Sequence, residues 1–298
     1  MDFSELRRLV FSTHGRGEYQ AALDAVDRYE TSNPDEIADL AFWRMCLLSL
    51  VGRTDEACVE FARRLDEGLW WGEPLLADHD LDAVRDDPEW QRLAAVSVAR
   101  AQEATTGPVE PVAVRPDGEF VGTLVLLHGF GWRPQSILDW YRPALGRGYR
   151  LVALHGTLPV ATGRFAWPAD NPEAVVISQL HDVGDPEHTV LSGFSQGARI
   201  AGHLAWSGRV DTAGVFLVAP AFGPRGAPTP DTVQRPVPTA ILAGSEDRRI
   251  EEIRRVAKDL EGFGVPVRYD ERSDLGHEWP DDFAETLEAT LDWLQDRS

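Results

Sequence analysis

A single lysine, Lys258, stands among 298 residues, so arginine supplies nearly all the positive charge. Bases are scarce altogether: 29 Lys and Arg face 49 Asp and Glu, a formal net charge of −20. A field of that sign repels polyphosphate and anionic headgroups, which argues against nucleic acid and membrane surfaces as partners. The two cysteines, Cys46 and Cys58, are too few for a disulfide framework or a metal site and read as buried free thiols. No apolar run approaches the roughly 20 residues that span a bilayer. The first 19 residues scatter Arg7, Arg8 and Arg16 and hold no long apolar stretch, so they do not read as a signal peptide. A soluble protein of the cytoplasm is expected. No cluster of His, Cys and carboxylates has metal-ligand spacing, and no Gly-rich loop suits a nucleotide, so neither metal nor cofactor is expected. What is present, 43% apolar and 26% charged residues, is ample for a packed core.

The chain has two grammars. Residues 1–105 carry apolar positions at helical spacing, among them Leu6, Leu9 and Val10; Leu40, Trp43, Leu47 and Leu48; and Ala57, Phe61 and Leu65. Asn33-Pro34 opens one helix and Gly52-Arg53-Thr54 another, with Thr54 as the expected N-cap. The stretch Gly17-Glu18-Tyr19-Gln20-Ala21-Ala22 aligns with Gly52-Arg53-Thr54-Asp55-Glu56-Ala57 at an offset of 35 residues, close to the period of about 34 of tetratricopeptide repeats. Small Ala22 and Ala57 would let paired helices approach, and Phe61 would fill the groove. Such a tetratricopeptide-like unit either recruits a protein partner or caps the neighbouring domain.

Thr105-Thr106-Gly107-Pro108 reads as a linker. Over residues 106–298 short apolar runs at 121–127, 150–154, 189–192, 212–219, 238–243 and 265–269 alternate with helix-length segments, and a further strand is expected at 112–114. Strands apolar on both faces and joined by helices imply a parallel sheet covered on both sides, an α/β fold.

Three pieces of this region carry chemistry. Gly193-Phe194-Ser195-Gln196-Gly197 follows one strand and opens a helix. Alone the pentapeptide is a weak signal; between strand and helix it is the pattern of a nucleophile elbow, where the serine occupies a strained turn and flanking glycines avoid collision with it. The helix N-terminus also aims its partial positive charge at the reacting centre. Leu126-Leu127-His128-Gly129-Phe130-Gly131-Trp132 closes the first long strand, where an oxyanion donor is expected. The backbone N–H groups of Phe130 and Gln196 are the candidate donors, and His128 a brace of that loop. Finally, Asp247 follows a later strand and His277 the last one. Ser195, Asp247, His277 is the chain order of a hydrolase triad on this fold. Glu246 and Asp274 compete with Asp247, whereas none of His14, His79, His155, His181, His188 and His203 follows a late strand with a glycine before it.

From about Thr123 onward the chain resembles the phospholipase/carboxylesterase family, which includes acyl-protein thioesterases and is similar to dienelactone hydrolases. The matching segments are Leu127-His128-Gly129-Phe130-Gly131, Gly163-Arg164-Phe165-Ala166-Trp167, Gly193-Phe194-Ser195-Gln196-Gly197, Gly244-Ser245-Glu246-Asp247 and Gly276-His277. The resemblance implies an α/β-hydrolase fold without a cap domain and a serine esterase or thioesterase acting on small-molecule acyl substrates of modest size. Two departures stand out: the oxyanion loop continues with bulky Trp132-Arg133-Pro134, and serine stands where dienelactone hydrolases carry cysteine. Trp132, Trp167 and Trp279 fall on loops at the catalytic end of the sheet, as substrate-lining aromatics or as loop packing.

Overall fold

The computed structural model describes residues 1–104, 109–180, 185, 188–223 and 226–297; the expected linker at 105–108 and the competing His181 lie outside them. The chain divides into two compact units, Met1–Thr106 with Pro159–Arg164, and Gly107–Leu158 with Phe165–Ser298.

The first unit is helical: α1 (Phe3–Gly15), α2 (Tyr19–Arg28), α3 (Pro34–Leu50), α4 (Thr54–Asp66), the short α5 (Glu73–Leu76) and α6 (Pro88–Glu103). The repeated segment of the sequence is a repeated backbone. Gly17 and Gly52 both take left-handed φ values, 76° and 77°. The next residues, Glu18 and Arg53, cap α2 and α4 with nearly equal angles (φ −84°, ψ 52° and φ −92°, ψ 57°). Each donates its amide five residues back, Glu18 to Thr13 and Arg53 to Leu48. Glycine is needed at both turns because a Cβ at positive φ strains the backbone. Thr54 is therefore the first helical residue rather than the cap, and no side chain caps α4. Ala22, Ala57 and Phe61 are wholly buried in one apolar cluster. Cys46 and Cys58 are buried and unbridged.

A part of this unit that its own sequence does not announce is Pro159–Arg164, which comes from much later in the chain. Its backbone pairs with the segment before α5: the Gly72 amide donates to Val160 (2.7 Å), and that of Thr162 to Trp70 (3.0 Å). Arg164 pairs with Asp39 at 2.7 Å.

The second unit is built on a seven-stranded sheet. Its strands are β1 (Val112–Val114), β2 (Gly122–Leu127), β3 (Tyr149–Leu154), β6 (Thr189–Phe194), β7 (Gly214–Val218), β8 (Thr239–Gly244) and β9 (Val267–Arg272), in the order β1-β3-β2-β6-β7-β8-β9. The intervening β4 (Leu158–Ala161) and β5 (Arg164–Ala166) form a separate two-stranded hairpin absent from the expected pattern. All pairings of the large sheet are parallel except β1 with β3. Alternate side chains of each central strand enter different cores. Val125, Leu127, Leu191 and Leu217 pack with α9 (Gln196–Trp206) and α10 (Ile250–Gly262). Leu124, Leu126, Val190 and Phe216 pack with α7 (Pro134–Tyr141) and α11 (Phe283–Gln295). Burial on both faces explains why these strands read as apolar runs rather than as alternation. The chain leaves β2 toward β3 on one side and returns as β6 on the other. The carboxyl ends of β2 and β6 therefore flank the crevice where ligands bind in open α/β sheets.

Among the described residues no helix is long and apolar enough to cross a membrane.

Candidate active site

The loop at the end of β6 is strained. Ser195 stands at φ 53°, ψ −112°, a conformation side chains rarely adopt, as the N-cap of α9. Both flanking glycines are required, though not because of the serine itself. A Cβ on Gly193 would lie 2.6 Å from the Gly197 carbonyl carbon, and one on Gly197 would lie 2.1 Å from the Leu127 carbonyl oxygen. The tight turn thus presses the start of α9 onto the end of β2.

His277 reaches this serine. Its Nε2 lies 2.9 Å from Ser195 Oγ, and its Nδ1 lies 2.6 Å from Asp247 Oδ2. Asp247 Oδ1 accepts from the Arg249 amide at 2.9 Å. Burial raises the Asp247 carboxyl, but the hydrogen bond and charge of His277 and the Arg249 amide outweigh it, leaving the group below its ordinary value. Neither competing carboxylate takes this place; Glu246 and Asp274 are exposed. The acid and base loops are zipped together: the Glu246 amide donates to Leu275 at 2.9 Å, and a Cβ on Gly244 would stand 2.0 Å from the Leu275 oxygen.

The loop after β2 is held from within. Gly156 donates its amide to His128 Nε2 at 3.0 Å, so Nδ1 carries the proton and donates to the Gly129 carbonyl at 2.8 Å. Burial pushes the His128 imidazole down to about 4, keeping it neutral. The Trp167 indole donates to the His128 carbonyl at 2.8 Å. The Gln196 side chain clasps the Trp167 backbone, accepting at 3.3 Å and donating at 3.0 Å. Among the described residues, no backbone acceptor meets the Phe130 or Gln196 amide.

Of the three tryptophans, Trp167 and Trp279 are buried (1% and 4% exposed) and Trp132 is half-buried. Trp132 stacks on Phe194 at 4.8 Å, Phe194 on Trp279 at 5.1 Å, and Trp279 on Trp140 at 5.2 Å. The ladder joins the loops of Phe130, Ser195 and His277 to α7. Phe194, the first of the two variable positions of the pentapeptide, has no role legible in the sequence; its ring also lies 5.1 Å from that of His277. An aromatic beside the serine was the one available signal.

A hydroxyl bonded to an imidazole, itself bonded to a buried carboxylate, can transfer the hydroxyl proton as the oxygen attacks an electrophilic carbon. No group of three or more His, Cys, Asp and Glu among the described residues could hold a metal ion.

Solved structures share this fold. An uncharacterized protein from Bacillus cereus ATCC 10987 aligns over 100% of both chains with 18% identity and a TM-score of 0.54. Esterase PE8 aligns over 62% of this chain and 100% of its own, with 19% identity and a TM-score of 0.54. A Bacillus cereus carboxylesterase covers 66% of this chain and 98% of its own, with 18% identity and a TM-score of 0.52. The fold is thus that of the α/β-hydrolases, mixed α/β with a mostly parallel sheet. Fold alone does not assign chemistry. No known protein family's sequence pattern matches the chain, and no curated protein does.

Proposed function

We propose that the protein is a serine hydrolase of carboxylic esters or thioesters working through an acyl-enzyme. The observation that carries this reading is the unbroken hydrogen-bonded array Ser195–His277–Asp247. Ser195 Oγ attacks the acyl carbon while His277 Nε2 takes its proton. Asp247 keeps the opposite proton on Nδ1 and stabilises the imidazolium. The Phe130 and Gln196 amides receive the charge developing on the acyl oxygen; each such donor stabilises the transition state by about 3 kcal/mol. Collapse expels the alcohol or thiol, which takes the proton from His277. Water, deprotonated by His277, then releases the acid and restores the serine. The same fold carries an esterase and a carboxylesterase, which makes carboxylic esters the first substrates to test.

A fluorophosphonate probe should label the protein at Ser195, and Ser195→Ala should lose labelling and ester hydrolysis while keeping its far-UV circular dichroism. Labelling that persists in the variant would remove Ser195 from this role.

A further inference from the structure

Helix α9 is apolar almost throughout, with Arg199 as its one charged residue. Arg199 stands four residues after Ser195, about 6 Å along the axis. Side chains on a helix lean back toward its N-terminus, so this one extends toward the end that bears Ser195 and Gln196. On one flank lies the segment that leaves β7. It begins at the nucleophile turn, where Ser195 donates its amide to Val218 (3.0 Å) and Ala221 donates to the Ser195 carbonyl (3.1 Å). Gly226 lies against Arg199: a Cβ there would stand 2.8 Å from Arg199 Cδ. Helix α8 (Pro172–Ser178) also lies near α9, and its Glu173 is the carboxylate that acts on the guanidinium. Among the described residues Arg199 makes no side-chain hydrogen bond and no ion pair, whereas Arg44, Arg64, Arg254 and Arg272 are all paired. Burial lowers the proton affinity of Arg199, although a guanidinium stays charged at neutral pH. In a chain where acids outnumber bases 49 to 29, a half-desolvated arginine one helical turn after the nucleophile, with no carboxylate in ion-pair contact among the described residues, has a donor fork to spare.

We propose that Arg199 is a specificity-determining residue that binds an anionic carboxylate on the ester substrate, making esters with a free carboxylate near the reacting carbonyl the preferred class. This inference rests on the hydrolase reading. The guanidinium would supply two parallel N–H donors to the carboxylate, a geometry that lysine cannot reproduce.

The test compares matched esters: mono-4-nitrophenyl succinate with 4-nitrophenyl butyrate for an anion on the acyl side, and 4-acetoxybenzoate with phenyl acetate for one on the alcohol side. Arg199→Met keeps the apolar stem. It should lower the ratio of kcat/KM for the charged over the neutral ester about tenfold to a hundredfold in one of the two pairs, chiefly through KM. Arg199→Lys should recover part of that ratio. Succinate or 4-hydroxybenzoate, as free ligands, should raise the Tm of the wild type and of Ser195→Ala but not of Arg199→Met. Charged-to-neutral ratios within twofold of wild type in both pairs would overturn the proposal even where fluorophosphonate labels Ser195. Absent labelling with an Arg199-dependent Tm shift would instead sink the hydrolase reading and leave the anion site standing.

Discussion

The two units spend their buried polar groups differently. In the helical unit the network around Glu60 is mostly local, although buried Ser97 bonds the Trp71 backbone 26 residues away. Glu60, nearly inaccessible, gathers Arg44, Arg63 and Arg64 within 3.0 Å, and two of these partners lie three or four residues away on the same helix. Burial raises that carboxyl, but the bonds and charges of Arg63 and Arg64 prevail and hold it below its ordinary value. In the sheet unit, buried polar groups join residues far apart in sequence: His128 to Gly156, Trp167 to Gln196, Asp247 to His277. The first kind of network stabilises an element; the second holds three loops in one geometry.

That contrast can be broken by experiment, and the largest effect should fall on the long-range network. Asp247→Asn should keep the fold and lower kcat for ester hydrolysis about 10⁴-fold, because the amide leaves His277 in the wrong tautomer. A loss below tenfold would place the acid elsewhere.

The next effect is on stability against pH. The imidazole of His128 is held at about 4 in the fold, below its ordinary value near 6.5. The unfolded chain therefore binds the proton first, and stability falls as pH drops from 6.5 toward 4, by up to about 3 kcal/mol. Urea denaturation across that window should show a flatter dependence in His128→Asn than in wild type. Parallel slopes would mean that the buried ring is not the group responsible.

In the helical unit, Glu60→Gln should cost about 2 kcal/mol in urea denaturation, because Arg44 and Arg64 each lose one of two carboxylate partners, keeping Asp27 and Glu67. Its kcat/KM should stay within twofold of wild type; a large loss of activity would erase the distinction between the units. Smallest of all, Gly17→Ala and Gly52→Ala should each cost about 1 kcal/mol, since both sites have open space and only the positive φ opposes a Cβ. Clearly unequal costs would deny that the two turns are one repeated device.

Much of this was written in local pattern. The 35-residue offset became two matching turns, at Gly17 and Gly52. Five of the six apolar runs became central strands buried on both faces, with ends displaced by at most two residues; the sixth became the edge strand β9, which is only half-buried and continues through polar Asp270, Glu271 and Arg272. Less legible were the positions whose meaning lies in a distant partner. Pro159–Arg164 carries no mark of belonging with helices more than fifty residues earlier in the chain. Trp167 and Trp279 have the composition of pocket walls, yet their rings are engaged in bracing loops. Nothing in the sequence around Arg199 distinguishes it from the other arginines.

From the sequence alone came what neighbouring residues decide: helical or strand period, the glycines of a cramped turn, and the order of a serine, an aspartate and a histidine along the chain. The sequence preferred Asp247 over Glu246 and Asp274; only the tertiary structure brought its carboxylate to His277 and set the tautomer of His128. Periodicity is imposed within a few residues by the backbone, whereas hydrogen-bond partners are chosen by where loops from separate strands meet at one edge of the sheet.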